Sequence, residues 1–121
     1  VKISLWPLAR VKPYDRNPRR NAAAVDAVAA SLKEFGFQKP IVVDADGVII
    51  CGHTCFLAAQ KLTLERVPVT VADKLTPDQV KAYRIADNKT SELAEWDFEL
   101  LAAELADLQS CNYELGLLGF D

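Results

Sequence analysis

Apolar residues along this chain change their spacing repeatedly, and each change marks an element. Ile3 to Leu8 is a short apolar stretch containing Pro7, whose missing N–H suits an edge strand. Lys12 to Arg20 reads as a loop, since Pro13, Asn17 and Pro18 oppose helix. Asn21 is placed to cap a helix whose apolar face is Val25, Val28, Ala29, Leu32 and Phe35, and Gly36 ends it. Two β-branched runs, Ile41–Val43 and Val48–Ile50, flank Asp44-Ala45-Asp46-Gly47 and predict a hairpin. Past Gly52 the spacing turns helical through Phe56, Leu57, Ala59 and Leu62. Val67 to Val71 then reads as a strand, with Pro68 hinting at an edge.

Leu75 to Val80 carries the clearest helix start. Thr76 and Gln79 match a capping box, Pro77 takes the first helical position, and Leu75 and Val80 are spaced as a hydrophobic staple. The helix is expected to run from about Pro77 to Asn88, followed by a polar linker, Lys89 to Glu95. Asp97 caps the last helix, Trp96 is placed to staple onto Leu101, and Leu100, Leu101, Leu105 and Leu108 share a side. No repeat or low-complexity segment interrupts this order, and it predicts one α/β domain.

Composition adds little to the fold and more to the setting. Half of the 121 residues are hydrophobic, enough for one core. No apolar run reaches membrane-spanning length, and the first residues lack the sections of a signal peptide. An odd count of three cysteines argues for a reducing compartment, so a cytoplasmic protein with no membrane partner is expected. Starting at Val1 without methionine, the chain reads as a piece of a longer polypeptide.

The net charge of −3 conceals an asymmetry. Residues 1–39 hold eight Lys/Arg and three Asp/Glu, whereas residues 85–121 hold one Lys and nine acids. A basic N-terminal section suits phosphates; equally, the two ends can neutralise each other in the fold.

Chemistry concentrates at Gly52-His53-Thr54. A strand, a glycine turn and a helix start direct unpaired backbone N–H groups at one spot and favour an anion, phosphate above all. Thr54 adds a hydroxyl, and His53, the only histidine in the chain, an imidazole. A glycine between strand and helix is also often just a tight turn, and a lone histidine is more often packed than catalytic. Cys51, His53 and Cys55 alternate as soft ligands do, but a fourth is in reach only if distant Cys111 joins them, so no zinc is expected. Cys55, near a helix N-terminus, is a candidate for a lowered pKa and reactivity, against the alternative of a small packed residue. Asp87, Asn88 and Lys89 with Glu92 either contact a nucleotide, with Asp87 and Glu92 holding a divalent cation, or simply terminate the helix. Arg16, Arg19 and Arg20 suit bidentate phosphate contacts, as in DNA binding, or a solvated loop. No paired carboxylates or Ser/His/Asp set supports an ordinary hydrolase.

Taken in order, Asn17-Pro18-Arg19, Gly36-Phe37-Gln38-Lys39-Pro40-Ile41-Val42-Val43, Gly52-His53-Thr54 with Phe56-Leu57-Ala58-Ala59, and Val67-Pro68-Val69 resemble the ParB/sulfiredoxin superfamily, specifically its ParB N-terminal, "ParB-like nuclease" domain. The tail Arg84-Ile85-Ala86-Asp87-Asn88-Lys89 with Glu95-Trp96-Asp97 is similar to a branch found in phage and mobile elements, often fused ahead of a DNA methyltransferase. The resemblance covers nearly the whole chain. It implies a compact α/β (α+β) domain, a small mixed sheet flanked by helices. In relatives with demonstrated activity, the glycine turn serves CTP binding and hydrolysis, ATP-dependent phosphoryl transfer or nuclease action.

By position, the likeness implies a nucleoside triphosphate with Mg2+ as ligand, and DNA, a fused methyltransferase and a second copy as partners. Gly52, His53, Thr54 and Cys55 would line the phosphates, with Asn17 and Arg19 nearby. Asp87, Asn88 and Lys89 would form the second nucleotide segment, and His53 would be the catalytic candidate. Where such relatives carry a phosphate-gripping arginine, this chain has Cys55. A charge-assisted hydrogen bond of that kind is worth roughly 1.5–3 kcal/mol. The expected function is therefore a nucleotide- or phosphate-binding module of a DNA-associated protein. The alternatives are a metal-dependent nuclease or nucleotide-dependent phosphotransferase, and a recruitment domain with a degraded pocket. Thr63, where glycine more commonly ends the helix, is a second and milder departure.

Overall fold

The computed structural model describes residues 1–17 and 22–120. In chain order its elements are β1 (Ser4–Pro7), a 3-10 turn (Leu8–Arg10), α1 (Ala22–Phe35), β2 (Ile41–Val43), β3 (Ile49–Cys51), α2 (His53–Lys61), β4 (Arg66–Val71), α3 (Pro77–Leu93), α4 (Phe98–Ser110) and a final 3-10 turn (Leu115–Leu118). The expected order of elements is present. Asn21, the expected cap of α1, lies outside the described residues.

Four strands form a mixed sheet in the order β1-β4-β2-β3. The β2–β3 hairpin is antiparallel, β2 runs parallel to β4, and β1 closes the far edge antiparallel to β4. Asp44 makes the hairpin turn. Its Oδ1 accepts from the N–H groups of Asp46 and Val48 at 2.9 and 3.0 Å, while Gly47 takes φ +84°, a conformation that strains any residue with a Cβ. Alternation along β2 and β4 turns Ile41, Val43, Val67 and Val69 into the core, where they join Ile49, Trp6, Val11, Phe56 and Ala59. Helix α1 packs on α2, so the sheet has its helical cover on the α2 side, and α3 meets β3.

Three expectations about elements need correction. Pro68 does not mark an edge, because β4 is the second strand of the sheet. The parallel ladder with β2 begins at Val69, one residue later, so the missing N–H of Pro68 lies outside it. Helix α3 does not stop at Asn88 but runs to Leu93. The polar residues of the supposed linker bond back onto the helix instead of breaking it. Asn88 Nδ2 donates to Arg84 O at 2.9 Å, Thr90 Oγ1 to Ala86 O at 2.7 Å and Ser91 Oγ to Asp87 O at 2.9 Å. Helix α4, capped by Asp97 as expected, has no buried residue. Leu101, Leu105 and Leu108 are half-buried and Leu100 faces out. Trp96 packs its ring against Phe120, centroids 5.6 Å apart.

Among the described residues no helix is long and apolar enough to cross a membrane.

Candidate functional site

The backbone at the glycine turn cannot be made from another residue. Gly52 sits at φ +105° between β3 and α2, and a Cβ on it would meet Ile41 Cα and Cγ1 at 3.3 Å. Both the conformation and the close packing on β2 demand glycine. The first helical hydrogen bond of α2 runs from Phe56 N to Gly52 O at 2.9 Å, and no side chain caps the helix. The N–H groups of His53, Thr54 and Cys55 therefore precede the intrahelical ladder, with the positive end of the helix dipole behind them.

These amides belong to a cavity of about 260 Å³. Gly52, His53, Thr54 and Cys55 form one wall with Ile50 and Cys51 of β3; Ala24 and Val28 of α1 and Asn17 form another; Asp87, Asn88 and Ser91 of α3 face them. The fold thus brings together Asn17, Gly52, His53, Thr54, Cys55, Asp87 and Asn88, all expected from the sequence. It leaves Lys89 outside. That side chain is exposed and pairs with Glu92 at 3.5 Å. Glu92 and Asp87 stand five residues apart on one helix, so they point in different directions, and only Asp87 reaches the cavity. The expected Asp87–Glu92 cation pair is not assembled, and among the described residues no group of three or more His, Cys, Asp or Glu is arranged for a metal. Arg16 lines a different cavity, and Arg19 and Arg20 lie outside the described residues.

His53 is held in one tautomer. Its Nε2 accepts the backbone N–H of Tyr14 at 3.0 Å, so the ring proton of the neutral form is on Nδ1. Burial, and secondarily the Arg84 guanidinium, keep its pKa below the ordinary histidine value. The ring is a neutral donor at this site. Of the two readings of Cys55, the packed one fits: burial pushes its thiol up, and nearby Lys39 opposes this only in part. Helix-dipole activation does not prevail there, because half-burial withholds the solvation a thiolate needs. Burial, with the Asp87 carboxylate next, drives Cys51 up to about 11.

Sequence reasoning missed Tyr14, Ser91 and Arg84. Arg84 is a buried arginine, 5% exposed, whose Nε donates to Ile49 O at 3.0 Å and so ties α3 to β3. The available signal was its spacing, four residues after buried Val80 and three, four and seven before the cavity residues of the same helix.

A mixed β1-β4-β2-β3 sheet with an uncapped helix behind its glycine turn defines the class: this is the ParB/sulfiredoxin fold. The chain superposes on the C-terminally truncated chromosome-partitioning protein ParB from Caulobacter crescentus, complexed with CTP-gamma-S, with TM-score 0.69 over 98% of this chain and 75% of that one, at 20% identity. It superposes on sulfiredoxin from Arabidopsis thaliana with TM-score 0.57 over 69% of this chain and 97% of that one, at 24% identity. In sequence it is 38% identical over 80 residues to the ParB-like nuclease domain-containing protein YnaK of Escherichia coli K12, covering 65% of this chain and 92% of that protein. Residues 2–90 match the ParB N-terminal domain, and the chain belongs to that family.

Proposed function

We propose that this chain is a nucleotide- or phosphate-binding module of a DNA-associated protein, with its phosphate seat at Gly52–Cys55. The observation that carries the reading is the uncapped start of α2, whose N–H groups border a cavity faced by Asp87, Asn88 and Ser91. The CTP-gamma-S bound to the Caulobacter ParB supports a nucleotide as the ligand. A cavity of about 260 Å³ suits the phosphate portion, with the nucleoside reaching beyond it.

Backbone amides and the Thr54 hydroxyl meet phosphate oxygens, and neutral His53 donates through Nδ1–H. Among the described residues no lysine or arginine lines this cavity, while Asp87 does. A magnesium ion fits that donor set through Asp87 alone, the rest of its shell being phosphate oxygen and water, and when bound it offsets the repulsion between carboxylate and phosphate. Binding is favoured over nuclease chemistry by the state of His53, whose Nε2 lone pair is already taken by Tyr14. Recruitment by or fusion to a DNA-modifying enzyme is compatible with the same module.

Titration calorimetry with CTP, ATP and GTP, with and without magnesium, tests the reading. Weak binding is expected in the native chain. Cys55→Arg, which places a fork of donors on the phosphates, should tighten it about ten- to a hundredfold. Unchanged affinity across all three nucleotides would remove phosphates from this corner.

A further inference from the structure

Arg84 is buried, charged and incompletely partnered. Its guanidinium lies 3.6 Å above the Tyr14 ring centroid, and its Nε is spent on Ile49 O. The facing carboxylate, Asp44 Oδ2, is 4.0 Å from Nη2, too far to accept a hydrogen bond, and Asp44 Oδ1 already serves its own turn. Neither Nη group has a hydrogen-bond partner among the described residues. Yet no fully buried side-chain nitrogen or oxygen among them lacks one. The Nη groups must therefore be the part of Arg84 that solvent reaches.

They border a cavity of about 270 Å³ formed by Tyr14, Arg16, Lys81, Arg84 and Ile85. Among the described residues it shares none with the Gly52 cavity, and its wall holds three cations and no carboxylate. Arg16 and Lys81 are exposed and form no ion pair among the described residues. Asp44, 4.0 Å from Nη2 and engaged in its own turn, offsets only one of these three cations, so an anion seated among them is electrostatically favoured.

We propose that Arg84, Arg16 and Lys81 form a second phosphate seat, independent of the one at Gly52, which takes a single terminal phosphate. Arg84, held by Tyr14 and Ile49, presents fixed Nη donors, and Arg16 and Lys81 close over the remaining oxygens. The adjoining groove argues for a terminal group over a running strand. It shares Tyr14, Lys81 and Arg84 with this cavity and carries Asp44, Asp46, Asp73 and Asp78, which repel a continued polyanion.

The test is a nitrogen–proton NMR titration of the whole chain with inorganic phosphate, against chloride at matched ionic strength. Saturable shifts are expected at the Arg84 Nε–H and at the Lys81 amide, whereas the Tyr14 amide, bonded to His53, responds to either seat. The Arg16→Gln/Lys81→Gln double variant, which leaves the core arginine intact, should weaken that response at least about tenfold. Phosphate-induced shifts of the His53 and Thr54 amides report the Gly52 seat separately and should persist in this variant. A non-saturating drift that chloride reproduces would overturn the proposal, as would an undiminished response in the double variant. Competition identifies the source of the phosphate. Displacement by a 5′-phosphorylated oligonucleotide but not its 5′-hydroxyl counterpart points to a nucleic-acid end, and displacement by a nucleoside triphosphate alone points to a nucleotide. Equal displacement by both oligonucleotides would refute the terminal-phosphate assignment.

Discussion

Thr63 follows the C-cap of α2 with φ +54°, a left-handed conformation that a β-branched residue adopts only under strain. Its place is set by two hydrogen bonds, Thr63 N to Gln60 O at 3.1 Å and Leu64 N to Ala59 O at 3.0 Å, so the chain must turn there whatever the side chain. Glycine was the residue expected from the sequence at this point, and the geometry explains why. Thr63→Gly is expected to stabilise the fold by up to about 1 kcal/mol, the relief of strain exceeding the entropy glycine adds to the unfolded chain. Chemical denaturation measures it, and a loss of stability would show that the Thr63 hydroxyl bond to Leu62 O outweighs the strain. Gly52 was equally legible, since a glycine between a β-branched run and a helical pattern has few other uses. Cys55 was not. A helix N-terminus lowers a thiol pKa and burial raises it, and only the first is visible in a sequence.

Among the elements, α3 shows how local signals divide. Its start was readable to the residue because the capping box is short-range chemistry: Gln79 N donates to Thr76 Oγ1 at 3.2 Å, and Thr76 N donates to Gln79 Oε1 at 2.9 Å. Its end was misread because Asn, Thr and Ser favour both termination and bonding back to the preceding turn. The longer helix matters to the site, since Ser91 lines the Gly52 cavity only if the helix continues past Asn88. Thr90→Pro separates the two geometries. A proline inside the helix removes a backbone bond and clashes with the carbonyl four residues back, at about 3 kcal/mol or more, so amide protection over residues 86–93 should collapse and phosphate affinity fall with it. Unchanged hydrogen exchange would mean that a linker begins at Lys89.

For the whole molecule, the two oppositely charged ends do not neutralise each other through ion pairs among the described residues. The pairs found there join Asp26 to Lys61, Asp44 to Arg84 and Lys89 to Glu92. Tyr14 N–H, in the loop before α1, donates to His53 Nε2 of α2, and this neutral contact makes stability depend on pH. Because the folded-state pKa of His53 lies below its ordinary 6.5, the unfolded chain binds a proton before the folded chain does. Stability from this contact is full above pH 6.5 and declines as pH falls toward the lowered value. Denaturation profiles between pH 7.5 and about 5 should show that decline in the native chain and lose it in His53→Gln. With one histidine in the chain, a slope that survived the substitution would belong to other groups, the carboxylates or the terminal amine. The order of elements, the hairpin, the helix caps and the glycine turn follow from neighbours a few residues apart, so the sequence alone determined them. Burial and encounter across the fold depend on long-range packing. Only the tertiary structure therefore decided that Pro68 lies inside the sheet, that Lys89 and Glu92 leave the site, and that Arg84 is drawn onto the Tyr14 ring with donors to spare.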